Sequence, residues 1–143
     1  MGTKTIVRLA LLGFLVTTLS GCAAAVSEPV TELAVLGSEG GMCVDGPCGS
    51  SFTVYSDGTT SDKTITLDVS ELKTAINSSR LKELPEDPEA FCQSYVDGSD
   101  LTVVIPAWGE NKYTPCRLQD SDSDPLVLEA TELVQSYFEK INR

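Results

Sequence analysis

Five cysteines and not one histidine set the limits of what chemistry this 143-residue chain can perform. Two of the cysteines, Cys43 and Cys48, flank the turn-forming run Asp45-Gly46-Pro47. Thiols in that arrangement could hold a metal, exchange electrons or close a covalent ring. The missing histidine removes Ser-His-Asp and Cys-His catalysis, and with them the commonest transition-metal ligand. No P-loop, G-x-G-x-x-G or G-x-S-x-G run is present. The carboxylates are scattered, and nothing in their spacing singles out a pair for glycoside cleavage. The residue types therefore point away from an enzyme and call for no cofactor.

The compartment decides between the three thiol chemistries. Residues 1–21 carry Lys4 and Arg8 and then a nearly unbroken apolar run from Leu9 to Leu19. That run is shorter than the roughly 20 residues a membrane span needs and fits the apolar core of a signal peptide. It closes on Leu19-Ser20-Gly21-Cys22, which resembles the bacterial lipobox, where small residues admit the lipoprotein peptidase. The resemblance implies a mature chain that starts at an acylated Cys22. Two or three acyl chains would hold it stably to a bilayer. It further implies the cell membrane or the outer membrane as location, with the polypeptide facing an extracytoplasmic space. Residues 22–30 read as a tether, and residues 31–143 as a single domain.

An exported chain keeps its cysteines oxidised, so Cys43, Cys48, Cys92 and Cys116 read as two disulfides rather than a four-thiolate zinc site. Four cysteines permit three pairings. The favoured one joins Cys43 to Cys48 and Cys92 to Cys116, closing rings worth roughly 2 and 3.5 kcal/mol on the chain-entropy model.

The formal charge is −11, and removal of Lys4 and Arg8 with the signal takes it to −13. Such a balance excludes nucleic acid, which demands clustered Lys and Arg, and disfavours anionic lipid beyond the acyl anchor. The run Asp120-Ser121-Asp122-Ser123-Asp124 begins like a calcium loop. It then carries Pro125 where the loop needs Gly and Thr131 where it needs Glu. The reading is a solvated turn whose last carboxylate caps a helix, with no metal. For binding, the candidates are the ring around Asp45 and the loop tip bearing Trp108, with Tyr113 beside it. Trp is the richest hot-spot residue at interfaces, but the favoured reading of Trp108 is that it folds down over the sheet's apolar edge and protects the core.

The elements that must position these residues follow from hydrophobic period and turn chemistry. Val30 to Leu36 predicts a first strand, broken by Ser38-Glu39-Gly40-Gly41. Ser51 to Tyr55 predicts a second and Lys63 to Leu67 a third, around a turn at Asp57-Gly58. A short helix capped by Asp68 or Ser70 presents Val69, Leu72, Ala75 and Ile76 on one face and ends near Asn77. Leu101 to Ile105 and Lys112 to Leu118 form a second hairpin around Trp108, entered through the turn at Asp97-Gly98. Asp124-Pro125 opens a last helix, with Leu126, Ala130, Leu133, Tyr137 and Ile141 spaced at three and four residues and Val127, Val134 and Phe138 beside them. The expected order is β-β-β-α-β-β-α. It describes an α+β fold with an antiparallel sheet of about five strands and two helices on one face.

The strand end "SDGT", the helix run "DVSELKTAI", the connector "LKELP" and the hairpin run "DGSDLTVVI" look like those of small bacterial lipoproteins. Their layout is similar to that of emfourin-like protein inhibitors of metallopeptidases. The resemblance implies a non-catalytic binding or inhibitor module whose partner is a secreted peptidase. The alternative is a structural, envelope-associated lipoprotein with no dedicated ligand.

Overall fold

The computed structural model describes residues 28–43, 46–63, 65–93 and 98–142, and of Met42, Cys43, Gly46 and Pro47 the backbone alone. The signal, the lipobox, Cys22 and Asp45 lie outside the described residues. Within them the fold is α+β. Strands β1 (Glu32–Cys43), β2 (Gly46–Tyr55), β3 (Asp100–Val104) and β4 (Lys112–Tyr113) form one antiparallel sheet in the order β2-β1-β3-β4. Helices α1 (Ser70–Ser78) and α2 (Pro125–Ile141) complete it. No described helix is long and apolar enough to cross a membrane.

Register and alternation define the core. Leu36 pairs with Phe52 on one side and Val103 on the other, and Ala34 pairs with Val54, so their side chains share one face of the sheet. All five are buried, and against them lie Leu72 and Ala75 of α1 and Leu126, Val127, Ala130 and Leu133 of α2. Each large aliphatic side chain so removed from water is worth about 2 kcal/mol before the entropy of ordering it. Of the expected helix faces, Leu72 and Ala75 of α1 and Leu126, Ala130 and Leu133 of α2 are buried, whereas Ile141 at the end of α2 is exposed; α2 starts where Asp124-Pro125 predicts. The Asp124 side chain accepts from the Leu126 N–H at 2.9 Å.

The strand count is four rather than five. The segment expected as a third strand, Lys63 to Leu67, keeps its alternation: Ile65, Leu67 and Val69 are buried while Thr66 and Asp68 are exposed. It makes only an isolated bridge, Thr59 to Thr66. The outward edge of β2 is already occupied, because Ser61 donates its N–H to the Thr53 carbonyl and Val54 bridges to Thr60. With that edge taken and Lys63 turned to φ 58°, the segment delivers side chains to the core without joining the sheet. At the preceding turn Gly58 has φ 84°, and a Cβ there would collide with the Leu67 carbonyl, so the position requires glycine.

Two further expectations change. The run Ser38-Glu39-Gly40-Gly41 does not end β1. Gly40 and Gly41 take φ 114° and 84° and absorb a register shift between Glu39 and Met42, and the strand continues to Cys43. Strands β1 and β2 are consequently the two arms of one long hairpin, with Cys43 opposite Gly46. The returning strand Lys112 to Leu118 shrinks to Lys112–Tyr113. Pro115 supplies no N–H for a ladder and instead opens a 3-10 turn, Pro115–Arg117.

One disulfide is seen, Cys92–Cys116, as expected from the pairing. Cys48 is itself disulfide-bonded; the side chain of Cys43 lies outside the described residues.

Candidate binding groove at the hairpin end

The core of the sheet ends abruptly along β1 and β2. Near its C-terminal end α2 places Tyr137 flat on Phe52, with ring centroids 3.7 Å apart and planes 9° from parallel. Phe138 meets Tyr137 edge-on at 5.5 Å. The Tyr137 hydroxyl donates to Asp62 Oδ2 at 2.8 Å, and its own pKa is raised by burial and by that carboxylate. One pleat beyond Phe52, the residues on the same face are Ser50 and its partner Ser38. The neighbouring positions Gly40, Cys48 and Gly49 are small as well. Among the described residues, Phe138 is the large side chain bordering this place.

A groove of about 510 Å³ opens at this place, lined by Ser38, Glu39, Gly40, Cys48, Ser50 and Thr102 among others. An adjoining one of about 520 Å³ shares Ser38, Gly40, Cys48 and Ser50 and is closed by Ser99 and Phe138. The lining offers hydroxyls, backbone amides and one aromatic edge, with Glu39 as its only ionised side chain. That carboxylate is paired with Lys112 at the surface, a contact worth less than about 1 kcal/mol when half exposed. Such a surface can recognise backbone and small side chains through shape and hydrogen bonds. It holds no nucleophile with a base beside it.

The other candidate residues lie elsewhere. Trp108 sits in the 3-10 turn Pro106–Trp108, half-buried and packed on the core. Tyr113 meets it edge-on at 6.0 Å, and the Lys82 ammonium lies 5.5 Å from the ring centre. The indole thus covers the margin of the core near β4, and neither aromatic lines the hairpin grooves. Tyr113 instead borders a separate depression of about 430 Å³ with Leu84, Glu86 and Arg117.

In the Asp120-Asp122-Asp124 run the first two residues are exposed and the last is committed to structure. Asp124 is buried, with Oδ1 accepting from the Leu126 N–H and Oδ2 from the Arg80 N–H at 2.8 Å. The Ser121 hydroxyl donates to the Pro115 carbonyl at 2.7 Å. Among the described residues, the grouping of potential metal ligands is Cys92, Asp100 and Cys116, with one ligand atom of each within 4.8 Å of the others. The two sulfurs are bonded to each other, so the group offers no thiolate in this state, and Asp100 Oδ1 accepts from the Gln93 N–H.

Sequence reasoning passed over two pairs with catalytic spacing; one is Ser79 and Lys82, whose hydroxyl accepts from the Leu81 N–H and whose ammonium lies over the Trp108 ring. Ser70 and Lys73 likewise stand in an S-x-x-K run, the spacing of Ser–Lys hydrolases. The Ser70 hydroxyl donates to Asp68 Oδ1 at 2.7 Å and the Lys73 ammonium to the Ser56 carbonyl at 2.9 Å. The serine proton is given to Asp68 and the lysine is engaged on the Ser56 carbonyl, so the two are not bonded to each other as a Ser–Lys pair would be. The Ser70 N–H and hydroxyl in turn hold the Asp68 carboxyl below its usual range, as the Thr59 hydroxyl and N–H do for Asp57. Reasoning from residue types also missed the groove. Its residues carry no chemical signature, and the one available signal was the pair of small-residue runs Gly37-Ser38-Glu39-Gly40-Gly41 and Cys48-Gly49-Ser50-Ser51.

No protein-family model matches the chain, and neither a curated protein nor a solved structure is detectably similar to it.

Proposed function

We propose that this chain is an acyl-anchored, non-catalytic binding module of the bacterial envelope, which captures a secreted peptidase or similar protein through the end of its β1–β2 hairpin. The observation that carries the reading is the pair of adjoining grooves of about 510 and 520 Å³ past Phe52, the second bordered by Phe138, whose described lining is mostly small residues with Glu39 beside them. A long two-stranded projection gains stiffness from a covalent tie, and we assign that tie to Cys43 and Cys48; the disulfide-bonded state of Cys48 supports it. A preformed rigid projection loses little entropy on binding, the general requirement for an inhibitory loop. The lipobox-like Leu19-Ser20-Gly21-Cys22 would place the module at the cell membrane or outer membrane.

The test is titration of the full-length protein, in a neutral detergent, against a panel of secreted peptidases. Saturable slowing of at least one peptidase, together with loss of detergent partitioning in Cys22→Ser, is the expected result. If no peptidase is slowed, the structural, ligand-free envelope role replaces this one.

A further inference from the structure

A second surface, independent of the hairpin, lies between the two helices. The end of α1 is tied to the start of α2 by the Arg80 N–H, which donates to Asp124 Oδ2 at 2.8 Å. The two helices therefore run antiparallel, and the stripe from Glu71 to Ser78 faces the stripe from Pro125 to Glu132. Between them lies an open groove of about 200 Å³. Its middle is apolar. Ala75 forms the floor, and Leu128 stands at the edge with 56% of its surface exposed, although it belongs to a helix whose other leucines are buried. The two hydroxyls in the groove, on Thr74 and Ser78, donate back to their own helix, at 3.2 Å and 2.9 Å, and leave the floor without outward donors.

One end of the groove is acidic: Glu71, Glu129 and Glu132 converge there, and no basic side chain lines it. Burial first, then the repulsion of Glu132, Glu71 and Asp68, raises the pKa of Glu129. The nearby Lys73 and Lys140 donate to the carbonyls of Ser56 and Thr66. An exposed aliphatic side chain beside three mutually repelling carboxylates matches a ligand with an apolar part and a cationic part.

We propose that the α1–α2 groove docks a short basic amphipathic helix of a partner protein, seating an apolar residue against Leu128 and Ala75 and a Lys or Arg one turn away among Glu71, Glu129 and Glu132. A groove between two antiparallel helices is shaped to receive a third by interdigitation of side-chain ridges. Nucleic acid and anionic lipid are repelled by the same carboxylates. The small groove fits a weak, transient contact.

Fluorescence anisotropy of the full-length protein in neutral detergent tests this. The probe is a labelled helical peptide with Leu and Lys at i, i+3 and i+4 spacing, alongside a scrambled peptide of the same composition. Saturable binding of the amphipathic peptide is expected, weakened about tenfold in Leu128→Ser and in the Glu129→Gln, Glu132→Gln double variant. Glu86→Gln with Glu89→Gln removes the same charge elsewhere and should change it less than about twofold. The thermal midpoint of each variant confirms the fold, and Leu128 is exposed enough for its loss to be tolerated. Absence of binding, equal binding of the scrambled peptide, or an equal loss in the Glu86, Glu89 variant overturns the proposal. Binding to anionic vesicles that Leu128→Ser abolishes overturns it in favour of a membrane surface.

Discussion

Asp124 does at residue scale what its sequence position promises, and more. As helix cap it satisfies the Leu126 N–H, and its second oxygen also ties down the Arg80 N–H from the end of α1. Asp124→Ala removes a cap and orphans a second donor, so it should cost about 2 kcal/mol and lower the melting midpoint by roughly 6–10 °C. A drop no larger than that of an exposed Asp122→Ala would refute the double role. Glu129 acts in the opposite sense. Its folded pKa lies above the ordinary value of about 4.5, so ionisation at neutral pH works against the fold. That penalty is absent below the ordinary range and appears as pH rises through the raised value. Glu129→Gln should therefore raise the melting midpoint at pH 7 and leave it unchanged near pH 3. Asp57 and Asp68 follow the reverse rule. Their carboxyls are lowered by hydrogen bonds, and what they contribute is present above the ordinary carboxylate range and lost as pH falls through their lowered values.

Among the elements, those with strong local signals were legible. Helix α2 was announced by Asp124-Pro125 and a wide apolar period, and β3 by five strand-forming residues closed by Pro106. The errors arose where alternation or glycine has two meanings. Lys63 to Leu67 alternates because it feeds the core, and only the three-dimensional fact that Thr59 to Ser61 occupies the β2 edge keeps it out of the sheet. Gly40-Gly41 reads as a strand end, yet within a long paired strand two glycines at positive φ make a bulge. The groove was illegible for a related reason: it is made by the absence of large side chains where the cover of α2 runs out. The Cys92–Cys116 disulfide links the segment before β3 to the turn after β4, across 24 residues of chain. Replacing both cysteines by serine should cost about 3.5 kcal/mol on the chain-entropy model. A denaturant midpoint unchanged by that double replacement would show that the tie adds nothing to the packing around buried Cys92.

The whole molecule separates its stabilising and its exposed parts. The large apolar side chains are gathered between the sheet and two helices, the indole of Trp108 closes the margin of that core, and the hairpin end projects past it. Trp108 packs on the core and Ser50 lines the hairpin grooves, so under the proposed function they have different roles and the pair offers the most direct test of the account. The measurement compares Ser50→Arg and Trp108→Ala for inhibition of whichever secreted peptidase the full-length protein slows, with the melting midpoint of each. The account expects Ser50→Arg to lose inhibition at least about tenfold with its midpoint within a few degrees of the parent. It expects Trp108→Ala to keep inhibition while losing about 2 kcal/mol of stability. A Trp108→Ala variant that melts like the parent but no longer inhibits, beside a fully inhibitory Ser50→Arg, would contradict it.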